Sequence, residues 1–138
     1  MREIGRAARS LLLLAALSGP AVAGAKVLTG DLALIPGRGP VLKSGDQQYR
    51  LSGADDDVES LLRDPRMAGR RLHLEGQFKG SDGFTAERLY VLRGGQRYRA
   101  IYYCEVCNLT EFQPGDCVCC QKVLDLVEVP PDDARVIK

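Results

Sequence analysis

All five cysteines of the chain fall between positions 104 and 120, inside the stretch YYCEVCNLTEFQPGDCVCCQK (102–122). Cys104 and Cys107 form one C-x2-C pair, Cys117 and Cys120 a second, and Cys119 is left over. Three chemistries compete for such a cluster: a metal cage, a set of disulfides, or a reactive dithiol. Two thiolates with two residues between them sit on one tight turn and span one edge of a tetrahedron. A second turn supplies the opposite edge, so that four sulfurs surround one ion at about 2.3 Å each. Bridges within a C-x2-C pair close very small loops and stabilise little in the chain-entropy picture, whereas bridges between the pairs would do more. A catalytic dithiol needs one stabilised thiolate, typically at a helix N-terminus. Here the flanks Glu105, Glu111 and Asp116 are acidic and the neighbouring pattern is strand. The spacing favours the cage over structural disulfides, and both over redox chemistry, with all three still open.

The elements around the pairs suit a cage. YRAIYYCEVC runs as a strand into the first pair, Pro114-Gly115 marks a turn before the second, and the apolar stretch VLDLVEV follows. Two strands, each ending in a close cysteine pair and brought face to face by a loop, describe a zinc ribbon. Four thiolates make a closed, structural site with no place for water, and Zn²⁺ is the first expectation. Cu⁺ is the alternative, since soft thiolates also select it. Adjacent cysteines diverge in an extended chain, so Cys119 and Cys120 are not both ligands to one ion. Cys119 is expected as a substitute ligand or a free thiol. The residue after each pair, Asn108 and Gln121, is expected to need a left-handed conformation, which Asn tolerates better.

The compartment bears on this choice. Arg2, Arg6 and Arg9 precede LLLLAAL (11–17), and the small-residue stretch AVAGA follows Gly19-Pro20. That is the layout of a secretory signal over residues 1–23, and its apolar run is too short to span a bilayer. A periplasmic or secreted protein is expected, with no stable membrane insertion after cleavage. Removal of Arg2, Arg6, Arg9 and Glu3 leaves 16 basic and 17 acidic side chains of the original 19 and 18. That balance lacks the basic footprint of nucleic-acid binding, and no nucleic acid is expected as a partner. Export also places the thiols in an oxidising environment, which keeps the disulfide reading alive.

Upstream, residues 26–93 read mostly as β. KVLTGDLALI (26–35) closes at Pro36-Gly37, and PVLKSGDQQYRLS (40–52) reads as a hairpin about Ser44-Gly45-Asp46. Acidic residues before Leu61-Leu62 predict a short helix over about 57–63. RRLHLEGQF (70–78) alternates, with Leu72, Leu74, Gly76 and Phe78 on one face and Arg71, His73, Glu75 and Gln77 on the other. FTAERLYVLR (84–93) returns, and its Glu87-Arg88 break predicts a β-bulge. Tyr49, Phe78, Phe84 and Tyr90 are expected to fill a core that has no Trp and few other rings.

The order of three strands, a helix and two strands, together with Asp46, Tyr49, Leu51 and the run LLRDPRMAGRRLHLEGQF, resembles short bacterial exported OB-like domains. The resemblance implies a small five-stranded barrel over residues 24–97, followed by the ribbon-like hairpin over 98–129 and a flexible tail at 130–138. Tyr102, Cys104, Cys107, Pro114, Gly115, Cys117, Cys120 and Leu124 resemble in turn the heavy-metal-binding domain of periplasmic metal-efflux proteins. The His of that pattern is Cys107 here, and its prolines after cysteine are Glu105 and Val118. Metal binding is what this second resemblance implies.

Other residues carry less. His73 is the only histidine and lies on a polar strand face, and no G-x-S-x-G motif supports hydrolase chemistry. Asp55-Asp56-Asp57 lacks the spaced oxygens of a calcium loop and reads as a helix start. The expectation is a non-enzymatic metal protein, mainly β, with Cys104, Cys107, Cys117 and Cys120 as ligands. The alternatives are a disulfide-stapled or thiol-redox protein and an OB-type ligand-binding module.

Overall fold

The structure, a computed structural model, describes residues 24–136; the expected signal segment lies outside them. Eight strands and one α-helix follow in order: β1 (Lys26–Ile35), β2 (Gly39–Ser44), β3 (Gln47–Gly53), α1 (Asp56–Arg63), β4 (Arg71–Lys79), β5 (Gly83–Arg93), β6 (Gln96–Cys104), β7 (Leu109–Glu111) and β8 (Asp125–Val129). A 3-10 turn, Pro65–Met67, separates α1 from β4. The protein is mainly β, and its pairings are antiparallel except for one, between β3 and β5. Followed from β1 through β2, β3, β5 and β4, the hydrogen-bonded pairs return to β1. Among the described residues no helix is long and apolar enough to cross a membrane.

The expected alternation holds in β4, where Leu72 and Leu74 are fully buried against Leu28, Leu32, Leu42, Phe84 and Val91. The bulge is where the sequence breaks its period. Glu75 pairs with Arg88 and Gly76 with Ala86, so Glu87 has no opposite residue. A Cβ on Gly76 would stand 1.9 Å from the Thr85 carbonyl oxygen, so only glycine fits the close approach that the bulge creates.

That extra residue also corrects one expectation. Phe84 and Ala86 face the core before the bulge, and Leu89 and Val91 face it after. Tyr90 is thereby turned outward, where its ring lies beside His73 and under Arg97 and Arg99, at 5.0 Å and 5.8 Å from the two guanidinium carbons. Phe78 keeps its expected face but stands at the end of β4, 45% exposed, with the rings of Tyr49 and Phe84 beside it. Phe84 is fully buried and Tyr49 packs against the core, as expected.

The helix begins as the acidic run predicts. Asp55 caps it, its Oδ1 accepting from the Val58 N–H at 2.9 Å, a contact of the type that contributes about 1 kcal/mol. Asp56, Asp57 and Glu59 complement its positive end. Val58 and Leu62 point into the core. Asp64 then ends α1 and caps the 3-10 turn, accepting from the Arg66 N–H.

β6 joins the two ends of the molecule. Its first residues pair with β5, Tyr98 opposite Val91, and its later ones pair with β8 and then with β7. The strand that leaves the main core is therefore the one that delivers Cys104.

Candidate metal centre

Each cysteine pair sits on a closed turn. In the first, Cys104 at the end of β6 lies opposite Leu109 at the start of β7, so Cys107 falls in the loop between them. In the second, Asp116 bridges to Val123, and the Cys117 N–H donates to the Lys122 carbonyl at 2.7 Å. The Gln121 N–H donates back to the Cys117 carbonyl at 3.0 Å. Both turns end on a left-handed residue, Asn108 at φ 54° and Gln121 at φ 64°. They are the only non-glycine residues with positive φ among those described. The expected conformation is thus present at both positions, including the less tolerant glutamine.

The two turns converge. Sulfurs of Cys104, Cys107, Cys117 and Cys120 all lie within 4.8 Å of one another, and Cys104 Sγ stands 3.5 Å from Cys120 Sγ. Sulfurs at about 2.3 Å from a common ion stand about 3.8 Å apart. This spacing is too long for S–S bonds, and all five cysteines are free thiols. Cys119 is outside the group and exposed. These four residues could hold a metal ion.

Backbone donors reinforce the sulfurs in matching fashion. The N–H groups of Cys107 and Val106 hydrogen-bond Cys104, and those of Cys120 and Cys119 hydrogen-bond Cys117. At Cys117 these donors hold the thiol down to about 7. At Cys104 the Cys107 N–H pulls the same way, but burial and the neighbouring Cys120 and Cys117 thiols push the net shift upward. Cys107 is pushed up by the Cys119 thiol beside it, by burial and by the other cysteines. Of these three, Cys117 gives up its proton most readily, whereas burial and the neighbouring thiols hold the protons on Cys104 and Cys107. A cation among them reverses that resistance, since metal binding expels the protons.

Below the sulfurs lies a small apolar cluster of Tyr102, Cys104, Cys117 and Leu124, with Leu61 of α1 and Leu126 of β8 packed against it. Tyr102 is fully buried, and its hydroxyl donates to Asp64 Oδ2 at 2.9 Å. Burial opposes the Asp64 charge, yet Arg66 and Tyr102 hold its carboxyl below the usual value. The Arg66 side chain binds both Asp64 oxygens, at 3.1 Å and 2.9 Å, and donates to the Leu124 carbonyl at 3.0 Å. Sequence reading did not single out Asp64 and Arg66. The Asp-Pro step signals a helix end, but nothing local tells that its carboxylate is buried.

The remaining expectations find other places. His73 stays on the outer strand face, 3.6 Å from Glu75, and takes no part in the cysteine group. Asp55, Asp56 and Asp57 form the helix start, with Asp57 Oδ1 accepting from Gln113. The tail touches the cysteine end of the molecule, Arg135 lying over the Tyr103 ring at 5.3 Å.

No family model matches the chain, and neither a curated protein nor a solved structure shows significant similarity to it.

Proposed function

We propose that this is an exported, non-enzymatic metal-binding protein, in which Cys104, Cys107, Cys117 and Cys120 hold one structural Zn²⁺. In this reading the closed circuit of β1, β2, β3, β5 and β4 is an OB-like barrel that serves as scaffold. The turns after β6 and before β8 form a zinc ribbon built onto it. The observation that carries the proposal is the convergence of four sulfurs within 4.8 Å on two turns of the same local design. Four thiolates leave no open position on a tetrahedral ion, which favours structure over catalysis. Cu⁺ is the competing ion, and the extra thiol of Cys119 supports it.

A second reading, thiol chemistry, draws on the Cys117 thiol held to about 7. Against it, Cys117 is 1% exposed, which denies a substrate access to the sulfur.

Elemental analysis of protein isolated from the periplasm, with thiols counted before and after chelation, separates the readings. One zinc per chain, with four thiols released by the chelator, is the expected result. Metal-free protein with fewer than five titratable thiols would replace the cage with disulfides. One copper per chain would keep the cage and change the ion.

A further inference from the structure

Resting on the metal reading above, we infer that metal occupancy at the four cysteines controls the docking of α1 and the 3-10 turn, through Tyr102, Asp64 and Arg66. The ion therefore acts on an element that holds none of its ligands. Tyr102 lies two residues before Cys104 on β6 and shares its apolar cluster with Cys104, Cys117 and Leu124. That cluster is small, and two of its four buried members are ligands. So little apolar surface does not fix a fold without help, and an ion joining the two turns supplies it.

Leu61 and Leu126 join this cluster to the main core, and its polar contacts lead to the turn after α1. Tyr102 donates to Asp64, the Leu124 carbonyl accepts from Arg66, and the Arg66 guanidinium stands 5.4 Å from the Tyr102 ring centre. Farther along α1, Gln113 donates to Asp57 at 2.9 Å and accepts from the Ser60 hydroxyl at 2.9 Å. Asp64 is 6% exposed. Its charge is stable there only while its partners stay in place. Release of the ion frees the two turns, which withdraws Tyr102 and the Leu124 carbonyl and leaves Asp64 short of partners. The same docking forms one side of a cavity of about 110 Å³, whose walls include Val58 and Leu61 of α1, Leu89 of β5, Ala100 of β6 and Phe112 of the cysteine segment. Undocking opens that cavity, so the metal also sets access to it.

Coupling between two equilibria is reciprocal. If metal favours docking, weakening the dock must weaken metal binding. Tyr102→Phe keeps the ring and removes only the hydroxyl, so the cluster survives while the link to Asp64 is lost. We expect a loss of roughly tenfold in zinc affinity, the size of one buried hydrogen bond to a charged group.

Hydrogen exchange of the full mature chain, with Zn²⁺ and after chelation, reads the coupling directly. Chelation is expected to speed exchange in 56–67 together with 102–124, and to leave β1 and β2 unchanged. Tyr102→Phe should speed exchange in 56–67 even with zinc bound. If chelation loosens 102–124 alone, and Tyr102→Phe binds zinc as tightly as the parent, the coupling is wrong and the metal site stands. If zinc alters exchange nowhere and does not bind, both the coupling and the metal reading fall.

Discussion

Asn108 and Gln121 hold the same place in two separate turns: each directly follows the second cysteine of its pair, and each is left-handed. The conformation reverses the chain after the second sulfur, so that both sulfurs of a pair face the same point. For an L-residue with a Cβ it costs roughly 1–2 kcal/mol, less for Asn. A glutamine there is a local strain that the turn maintains.

Gln121→Gly should therefore stabilise the protein, by about 0.5–1 kcal/mol after glycine's own entropy cost is subtracted. Asn108→Val should destabilise it by more than 1 kcal/mol, because a β-branched residue is least tolerant of positive φ. Thermal or urea unfolding of the metal-loaded variants measures both. Equal midpoints for parent and Gln121→Gly would mean that the strain in the turn does not exceed glycine's own entropy cost.

The cysteines should divide four to one. Cys104→Ser or Cys117→Ser should lose the metal and loosen the cysteine segment, whereas Cys119→Ser should retain one metal per chain. Alkylation of the loaded parent with iodoacetamide, read by mass spectrometry, should modify Cys119 first, since it is exposed and outside the group. Modification of Cys120 in preference to Cys119 would reverse their roles.

Gly76→Ala places a methyl 1.9 Å from a backbone oxygen that cannot move without breaking the bulge. A loss of about 2 kcal/mol or more is expected, in the upper range for overpacking. The midpoint of urea unfolding should fall, with metal content per folded chain unchanged.

Asp133 offers a pH test on a group outside the sulfur cluster. Its carboxyl is held to about 2, chiefly by the side chain and backbone N–H of Arg135. A depressed folded value means that the contact contributes fully above the ordinary carboxylate range and is lost as pH falls through about 2. NMR titration of the Asp133 carboxyl should show that midpoint, and Arg135→Ala should return it toward about 3.9. An ordinary midpoint in the parent would mean that Arg135 does not engage the Asp133 carboxylate as described.

These contacts differ in how visible they are in the sequence. β4 is legible because its alternation is unbroken, and the grouping of the four cysteines because C-x2-C turns force two sulfurs together. The Glu87-Arg88 irregularity is legible as a bulge, but strict alternation does not show the change of face that follows it. One extra residue moves every later side chain to the other face, which is why Tyr90 is outside and Leu89 and Val91 are inside. Phe78 lies on the expected face but not in the core, because periodicity assigns a face and not a depth. The Asp64–Tyr102 contact joins residues far apart in the chain, and no local pattern encodes it.

Cobalt(II) added to the reduced protein tests the central claim most directly. A tetrahedral ion held by thiolates shows strong visible bands and a sulfur-to-cobalt charge-transfer band that grows with the number of sulfurs. The account predicts saturation at one cobalt per chain with the intensity of four thiolates. Cys119→Ser should leave that intensity intact, and Cys120→Ser should lower it. Weak bands typical of a six-coordinate ion, or equal losses in the two variants, would contradict it.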